Sequence, residues 1–453
     1  MRTMRVRMLL ALAMLNIFVL AAGFTSLDVI ESRPGEPVPY PVALAQDKAE
    51  AELPEAKPID PGRLADQLDD RMSDTGLGDG LSGYVADGTT GEPLYERDAD
   101  KAFTPASTTK IATALAVLEA TGPEKRLHTD AVLDGDGRLI LVGGGDPTLT
   151  ADSGPDDYPV PATLTLLAER TAAALDQAGV DSVELGYDDS LYPGPDTGPG
   201  WKDNYVYEGS VAPVHALMLD GGRVDRHDNY SERVGDPPRT AAEAFAGLLR
   251  EEGVQVQGDP EPKQAPDGAE QVATVASSPM SALVERMMLA SDNNIAEALA
   301  RQVALAEGEE PSFAGGAAAM QSVLGRLGVE DVHVEDGSGL SVNNRISPRA
   351  LAAMLRMAAD PEHPDRAFTI SGLPTAHFTG TLADRYGPDG DAGHGAGLVR
   401  GKTGTLNGVS TLAGTVRDAD GRLLVFVFMA NDEAATGTLL DTLAAEVADC
   451  GCS

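Results

Sequence analysis

Cysteine is nearly absent. The 453 residues contain two, Cys450 and Cys452. A link between residues two apart closes almost no loop, which excludes a disulfide framework as the source of stability. Two thiols are also too few for a zinc site. They read either as free thiols in the carboxyl tail or as a strained local pair. Basic residues are scarce too: 34 Lys and Arg face 71 Asp and Glu, a net charge of −37. A nucleic acid partner needs a basic footprint, and none is on offer. Only eight residues are Lys, so each Lys at a special position carries information. The seven histidines lack metal-ligand spacing and contain no His-Glu-x-x-His, so neither a metal nor a cofactor is expected. A Gly-x-Ser-x-Gly elbow is missing, which speaks against a Ser-His-Asp hydrolase. Past residue 24 no apolar run is long enough to span a bilayer.

What is present is enough to fold. A hydrophobic content of 42% excludes a disordered chain despite the charge. The length fits about two to three domains. Arg2, Arg5 and Arg7 precede an apolar stretch, Met8 to Phe24, interrupted only by Asn16. This pattern reads residues 1–30 as an export signal or membrane anchor, with Ala21, Ala22 and Gly23 as a possible cleavage site. The body is therefore expected outside the cytoplasm, secreted or held at the outer face of the cytoplasmic membrane. Residues 31–62 are acidic and carry Pro34, Pro37, Pro39, Pro41, Pro54, Pro58 and Pro61, the composition of an extended tether.

From residue 63 the texture alternates. A short amphipathic helix over 63–72 is followed by two strands around a turn at Asp87-Gly88 and a buried helix from Ile111. Between 129 and 276 come a hairpin, helices over 161–178 and 239–252, and a Gly- and Pro-rich loop holding Trp201. From Pro279 the chain is helical again, and it ends in a hairpin (410–416 and 423–429) and a closing helix. The expected class is α+β: an antiparallel sheet flanked by helices, formed by 63–128 and 277–453, with an inserted α/β-mixed module over 129–276.

Three short constellations can carry chemistry. In Ser107-Thr108-Thr109-Lys110, helical spacing puts Ser107 and Lys110 on one face, about 5–6 Å apart at Cβ. Ser107 falls in the first turn, where free N–H groups favour negative charge. Lys110 falls on an otherwise apolar helix, where desolvation lowers its pKa and lets it act as a base for a serine nucleophile. The plain alternative is a helix cap beside a surface lysine. In Lys402-Thr403-Gly404-Thr405, an edge strand can bind a substrate carboxylate, with Gly404 removing a side chain where substrate backbone approaches; the alternative is a polar strand end. A P-loop is excluded, since Ala396 stands where its first Gly belongs. In Ser291-Asp292-Asn293, a hydroxyl and an amide between two helices can relay a proton and grip an amide, or simply cap a helix. Ser341-Val342-Asn343 repeats the pattern in a loop, but Ser291 is framed by two helices that hold it rigidly. A glycine-rich turn, Gly143 to Pro147, presents Asp146. It can hold a free amino group of a ligand, or its own backbone.

The order Ser-x-x-Lys, Ser-Asp-Asn, Lys-Thr-Gly, with a long gap after Lys110, resembles the D-alanyl-D-alanine carboxypeptidase/endopeptidase family, low-molecular-mass class C penicillin-binding proteins of peptidase family S13. Gly143 to Leu149 (GGGDPTL), Asp336 to Ser341 (DGSGLS), Gly380-Thr381-Leu382 and Lys402 to Leu406 (KTGTL) match its style. The resemblance implies a serine β-lactamase/DD-peptidase-like fold and peptidoglycan stem peptides as substrates, with β-lactams as acylating inhibitors. Ser107 would be the nucleophile and Lys110 its base. Ser291 and Lys402 would pass a proton to the leaving amine, and Asn293 would hold the substrate amide. Lys402, Thr403 and Thr405 would bind the terminal carboxylate. Two other readings share the fold: a β-lactamase, disfavoured because no Glu-x-x-x-Asn lies between 294 and 400, and a non-catalytic β-lactam sensor or wall-binding protein.

Overall fold

The computed structural model describes residues 60–73 and 80–450, apart from 136, 156 and 435. The expected signal or anchor, and the tether up to residue 59, lie outside the described residues. Cys452 does as well; Cys450 is buried and disulfide-bonded, so the free-thiol reading of the tail is dropped.

One sheet is built from both ends of the sequence. Its order is Arg400–Leu406, Val409–Arg417, Leu423–Ala430, Leu81–Asp87, Pro93–Arg97, and every pair is antiparallel. The hydrophobic alternation of the strands divides its residues between two cores. On one face Tyr84, Val425, Val427 and Met429 pack against the helices Thr109–Thr121, Met280–Ala290, Asn293–Glu307 and Pro348–Ala358. On the other face Val85, Leu412, Phe426 and Phe428 pack against Leu64, Leu68 and Met72 of Pro61–Ser73 and Leu440, Leu443 and Val447 of Gly437–Asp449. This is the helix-flanked antiparallel sheet of an α+β protein.

A second five-stranded sheet takes all of its strands from between Lys110 and Ser291. Its order is Gln255–Pro262, Ser182–Asp188, Leu139–Val142, His128–Leu133, Glu270–Ala276. The first two pairings are parallel and the last two antiparallel. Helices Leu164–Ala178 and Pro237–Glu251 cover it through Leu164, Leu167, Leu175, Phe245 and Leu249. Gln255–Pro262 and Glu270–Ala276 are strands the sequence pattern did not announce. The first contains Gly258, Pro260 and Pro262, residues that ordinarily mark turns. It is an edge strand, where prolines without a ladder donor are tolerated.

Candidate active site

Ser107 lies in a short 3-10 turn, Ala106–Thr108, that runs directly into the helix Thr109–Thr121. Ala106, just before it, has φ +48°, a left-handed conformation that costs about 1–3 kcal/mol in a non-glycine residue. Ser107 is half-buried and its hydroxyl reaches the cleft. The helix carrying Lys110 is buried from Thr109 to Leu118, as the all-round apolar run requires.

Lys110 is fully buried. Its Nζ donates to Ser107 Oγ at 3.1 Å, Asn293 Oδ1 at 2.6 Å and the Ser338 carbonyl at 2.6 Å. Three acceptors hold the amine in one place and aim it at the serine. Burial pulls its pKa down to about 8, against the opposing pull of the Asp336, Glu297 and Asp292 carboxylates. An amine that loses its proton near neutrality is what a general base for serine needs.

Ser291 is the left-handed residue (φ 56°) that ends helix Met280–Ala290. Asp292 opens the next helix, Asn293–Glu307, by accepting from Ile295 N at 3.0 Å. So Asp292 is the cap, and Ser291 is left free to face the cleft. Asp292 is also paired with Arg223 Nη2 at 2.6 Å. Its carboxyl is held well below the usual carboxylate range: burial alone would raise it, but the Arg223 charge and the Ile295 N–H outweigh that. Asn293 Nδ2 donates to the Ser210 carbonyl at 2.8 Å. The neighbouring Asn294 accepts from Ala212 N at 3.0 Å and donates to Ala212 O at 3.2 Å. Segment 210–212 is thereby tied to the start of this helix.

Lys402 lies in the edge strand Arg400–Leu406. It is fully buried, and its Nζ donates to Ser291 Oγ at 2.9 Å and to Thr403 O at 2.7 Å. Burial, with the charge of Lys110 nearby, takes its pKa well below the ordinary lysine value. Thr403 Oγ1 is 2.8 Å from Thr381 Oγ1, so Gly380-Thr381-Leu382 borders the strand. A Cβ at Gly404 would meet Thr411 Oγ1 at 2.2 Å, Pro105 O at 2.8 Å and Ser107 N at 3.0 Å. Only glycine lets the strand run this close to the serine turn. The three constellations therefore meet around one cleft of about 730 Å³, bordered by Ser107, Ser291, Asn293, Thr381, Thr403 and Thr405.

Two placements differ from expectation or were not foreseen. Asp146 is buried and is not among the cleft residues. Its Oδ1 accepts from Thr148 N at 2.8 Å and from Thr148 Oγ1 at 2.6 Å. The carboxylate serves its own turn and is not presented to a ligand amine, which corrects the substrate-binding expectation. Burial raises its pKa to about 6. The loop 335–344 has a role that spacing did not show. Asp336 accepts from Gly339 N, Ser341 N, Asn344 Nδ2 and Trp201 Nε1, and Glu297 accepts from Ser338 N. These bonds fix the Ser338 carbonyl that Lys110 uses. Ser341 donates to Glu335, so Ser291 alone of the two Ser-x-Asn serines stands beside Lys402.

Comparison with known proteins agrees with this geometry. The model of the D-Ala-D-Ala carboxypeptidase 3 (S13) family matches residues 64–229 and 226–448. The carboxypeptidase DacB of Mycolicibacterium smegmatis is 35% identical over 95% of this chain and 94% of its own length. A carboxypeptidase of Mycobacterium tuberculosis is 35% identical over 82% of this chain and 81% of its own. Among solved structures, penicillin binding protein 4 of Haemophilus influenzae superposes with a TM-score of 0.68 at 23% identity, covering 83% of this chain and 97% of that one. The chain belongs to the D-Ala-D-Ala carboxypeptidase 3 (S13) family of serine hydrolases.

Proposed function

We propose that this enzyme removes the terminal D-alanine of peptidoglycan stem peptides through an acyl-enzyme on Ser107. The observation that carries the reading is the buried Lys110 amine, bonded to Ser107 Oγ, whose pKa burial lowers to about 8. Ser107 Oγ attacks the carbonyl of the penultimate D-alanine while its proton passes to Lys110. The N–H groups of Ser107 and Thr405 receive the developing oxyanion. The C–N bond then breaks, and Ser291, in hydrogen bond with Lys402, delivers a proton to the departing amine. Asn293 orients the substrate amide. Thr403, Thr405 and Lys402 bind the terminal carboxylate, in a strand whose Gly404 is turned away from the substrate and lets the strand pack against the Ser107 turn. That carboxylate also stabilises the protonated form of Lys402, so binding readies the proton that the leaving amine needs. Water hydrolyses the acyl-enzyme and restores Ser107.

A β-lactam offers the same carbonyl and carboxylate, and we propose that it acylates Ser107; the fold likeness to a penicillin-binding protein supports this. We place the enzyme outside the cytoplasm on the strength of Arg2, Arg5, Arg7 and the apolar run behind them. A fluorescent penicillin label and a D-alanine release assay test the function together. Long-lived label with D-alanine release supports the carboxypeptidase. Rapid loss of label means a β-lactamase, and label without release means a sensor.

A further inference from the structure

The buried carboxylate of Asp336 has no chemical part in the steps above. It is 2% exposed and receives five donors. Oδ1 accepts from Gly339 N at 2.9 Å and Asn344 Nδ2 at 2.7 Å. Oδ2 accepts from Ser341 N at 2.6 Å, Trp201 Nε1 at 2.8 Å and Ser338 Oγ at 3.3 Å. A turn can be held with less: Asp146 holds its own through Oδ1 alone, and its Oδ2 has no partner. The Asp336 turn is also pressed against helix Asn293–Glu307, since a Cβ on Gly337 would stand 2.6 Å from the Ala296 carbonyl oxygen.

The Gly339 N–H and the Ser338 carbonyl belong to one peptide group. Its N–H end donates to Asp336, and its carbonyl accepts from Lys110 Nζ at 2.6 Å. A negative charge at the N–H end polarises the peptide and strengthens the carbonyl as an acceptor. Asn293 Oδ1, also at 2.6 Å, is the other carbonyl on the amine. A neutral amine has two N–H groups. With both given to these acceptors, its lone pair is left for the Ser107 hydroxyl.

Three carboxylates act on Lys110: Asp336, Glu297 and Asp292. Asp292 is paired with Arg223, and Glu297 with Arg301. Asp336 forms no ion pair among the described residues, so its charge is the one left to the amine. Glu297 and Tyr205 are the other titratable groups it acts on, and Lys402 faces Lys110 from the edge strand. Trp201, the only tryptophan, comes from the inserted module and draws on the same carboxylate.

We propose that Asp336 is a positioning residue for the base: through the Ser338–Gly339 peptide it aims the Lys110 amine at Ser107 and sets how tightly that amine holds its proton. This role rests on the function proposed above, with Lys110 as the base.

The test is the pH dependence of penicillin acylation by the full chain. Asp336→Asn removes a negative charge that favours the ammonium, so the acid limb should move to lower pH by about one unit. The plateau rate should fall as well, because the amide turns a donor toward N–H groups that need an acceptor. Trp201→Phe keeps a ring against Phe313, which Trp201 meets edge-on at 5.3 Å, but removes one donor from the carboxylate. The charge is then less shared, and the limb should move the other way, by about half a unit. Opposite shifts do not arise from a loosened structure, which lowers rates without moving the limb. If Asp336→Asn does not fold, the upward shift in Trp201→Phe decides. An unmoved limb in the folded variants overturns the role of Asp336, while a wild-type limb and D-alanine release still support the carboxypeptidase. A flat wild-type profile overturns Lys110 as the base and this role with it.

Discussion

Gly339 and Ala106 touch backbone to backbone: a Cβ on Gly339 would stand 1.9 Å from the Ala106 carbonyl oxygen. Gly339 has φ +84° and Ala106 φ +48°. The loop that supplies the Ser338 carbonyl to Lys110 thus also presses on the residue before Ser107. Gly339→Ala should destabilise the fold by about 2–4 kcal/mol, combining strain and a clash with backbone that cannot yield. It should also slow acylation of the folded fraction, because Ser107 and Lys110 are displaced together. Thermal unfolding beside penicillin labelling checks both. Unchanged labelling in the folded variant would separate the loop from catalysis.

On the proposed mechanism Lys110 sets the pH dependence. The base must be neutral to act, and its pKa is lowered to about 8. Below that value the neutral fraction falls about tenfold per pH unit, so log kcat/KM for acylation should rise with a slope of one from about pH 6 and level off above about 8. A flat profile across this range would remove Lys110 as the base. Lys110→Arg keeps the charge but cannot shed a proton at working pH, and it should be nearly inactive.

Lys402 should act on ligand charge as well as on rate. Lys402→Ala is expected to weaken substrates with a free terminal carboxylate more than their methyl esters, which lack that charge. The free-acid to ester ratio of kcat/KM measures this, and an unchanged ratio would contradict the carboxylate role.

The Arg223–Asp292 pair, at 2.6 Å and nearly buried on both sides, holds the Ser291 turn. Arg223→Ala leaves a buried carboxylate without its main partner and should cost about 3–5 kcal/mol at neutral pH. Asp292 has a lowered folded-state pKa. Its stabilisation is present above the ordinary carboxylate pKa and is lost as pH falls through the depressed value. The gap between wild type and variant should therefore narrow in acid, as denaturant unfolding at several pH values would show.

The three constellations that meet at the cleft were legible because their spacing is local. Ser107 and Lys110 are fixed by one helical turn, and Ser291, Asp292 and Asn293 by the junction of two helices. The apolar run after Lys110 announced its burial before any tertiary contact was known. The Ser338 carbonyl and the carboxylates of Glu297 and Asp336 were not legible as partners of Lys110. Their roles depend on a loop more than 180 residues away in sequence folding back onto one helix. Asp146 shows the opposite limit: glycines and a proline identify a rigid turn, but they do not say which way its carboxylate points. Gln255–Pro262 was hidden because its glycine and prolines speak for a turn, while its partner strand, Ser182–Asp188, decides otherwise.

The central claim is that Ser107 carries the acyl group from which D-alanine has departed. Intact-protein mass measurement after incubation with penicillin, followed by peptide mapping, tests it most directly. One covalent adduct on Ser107 is expected, absent in a Ser107→Ala variant that still unfolds near the wild-type temperature and no longer releases D-alanine. An adduct on another serine such as Ser291, or D-alanine release that survives Ser107→Ala, would contradict it.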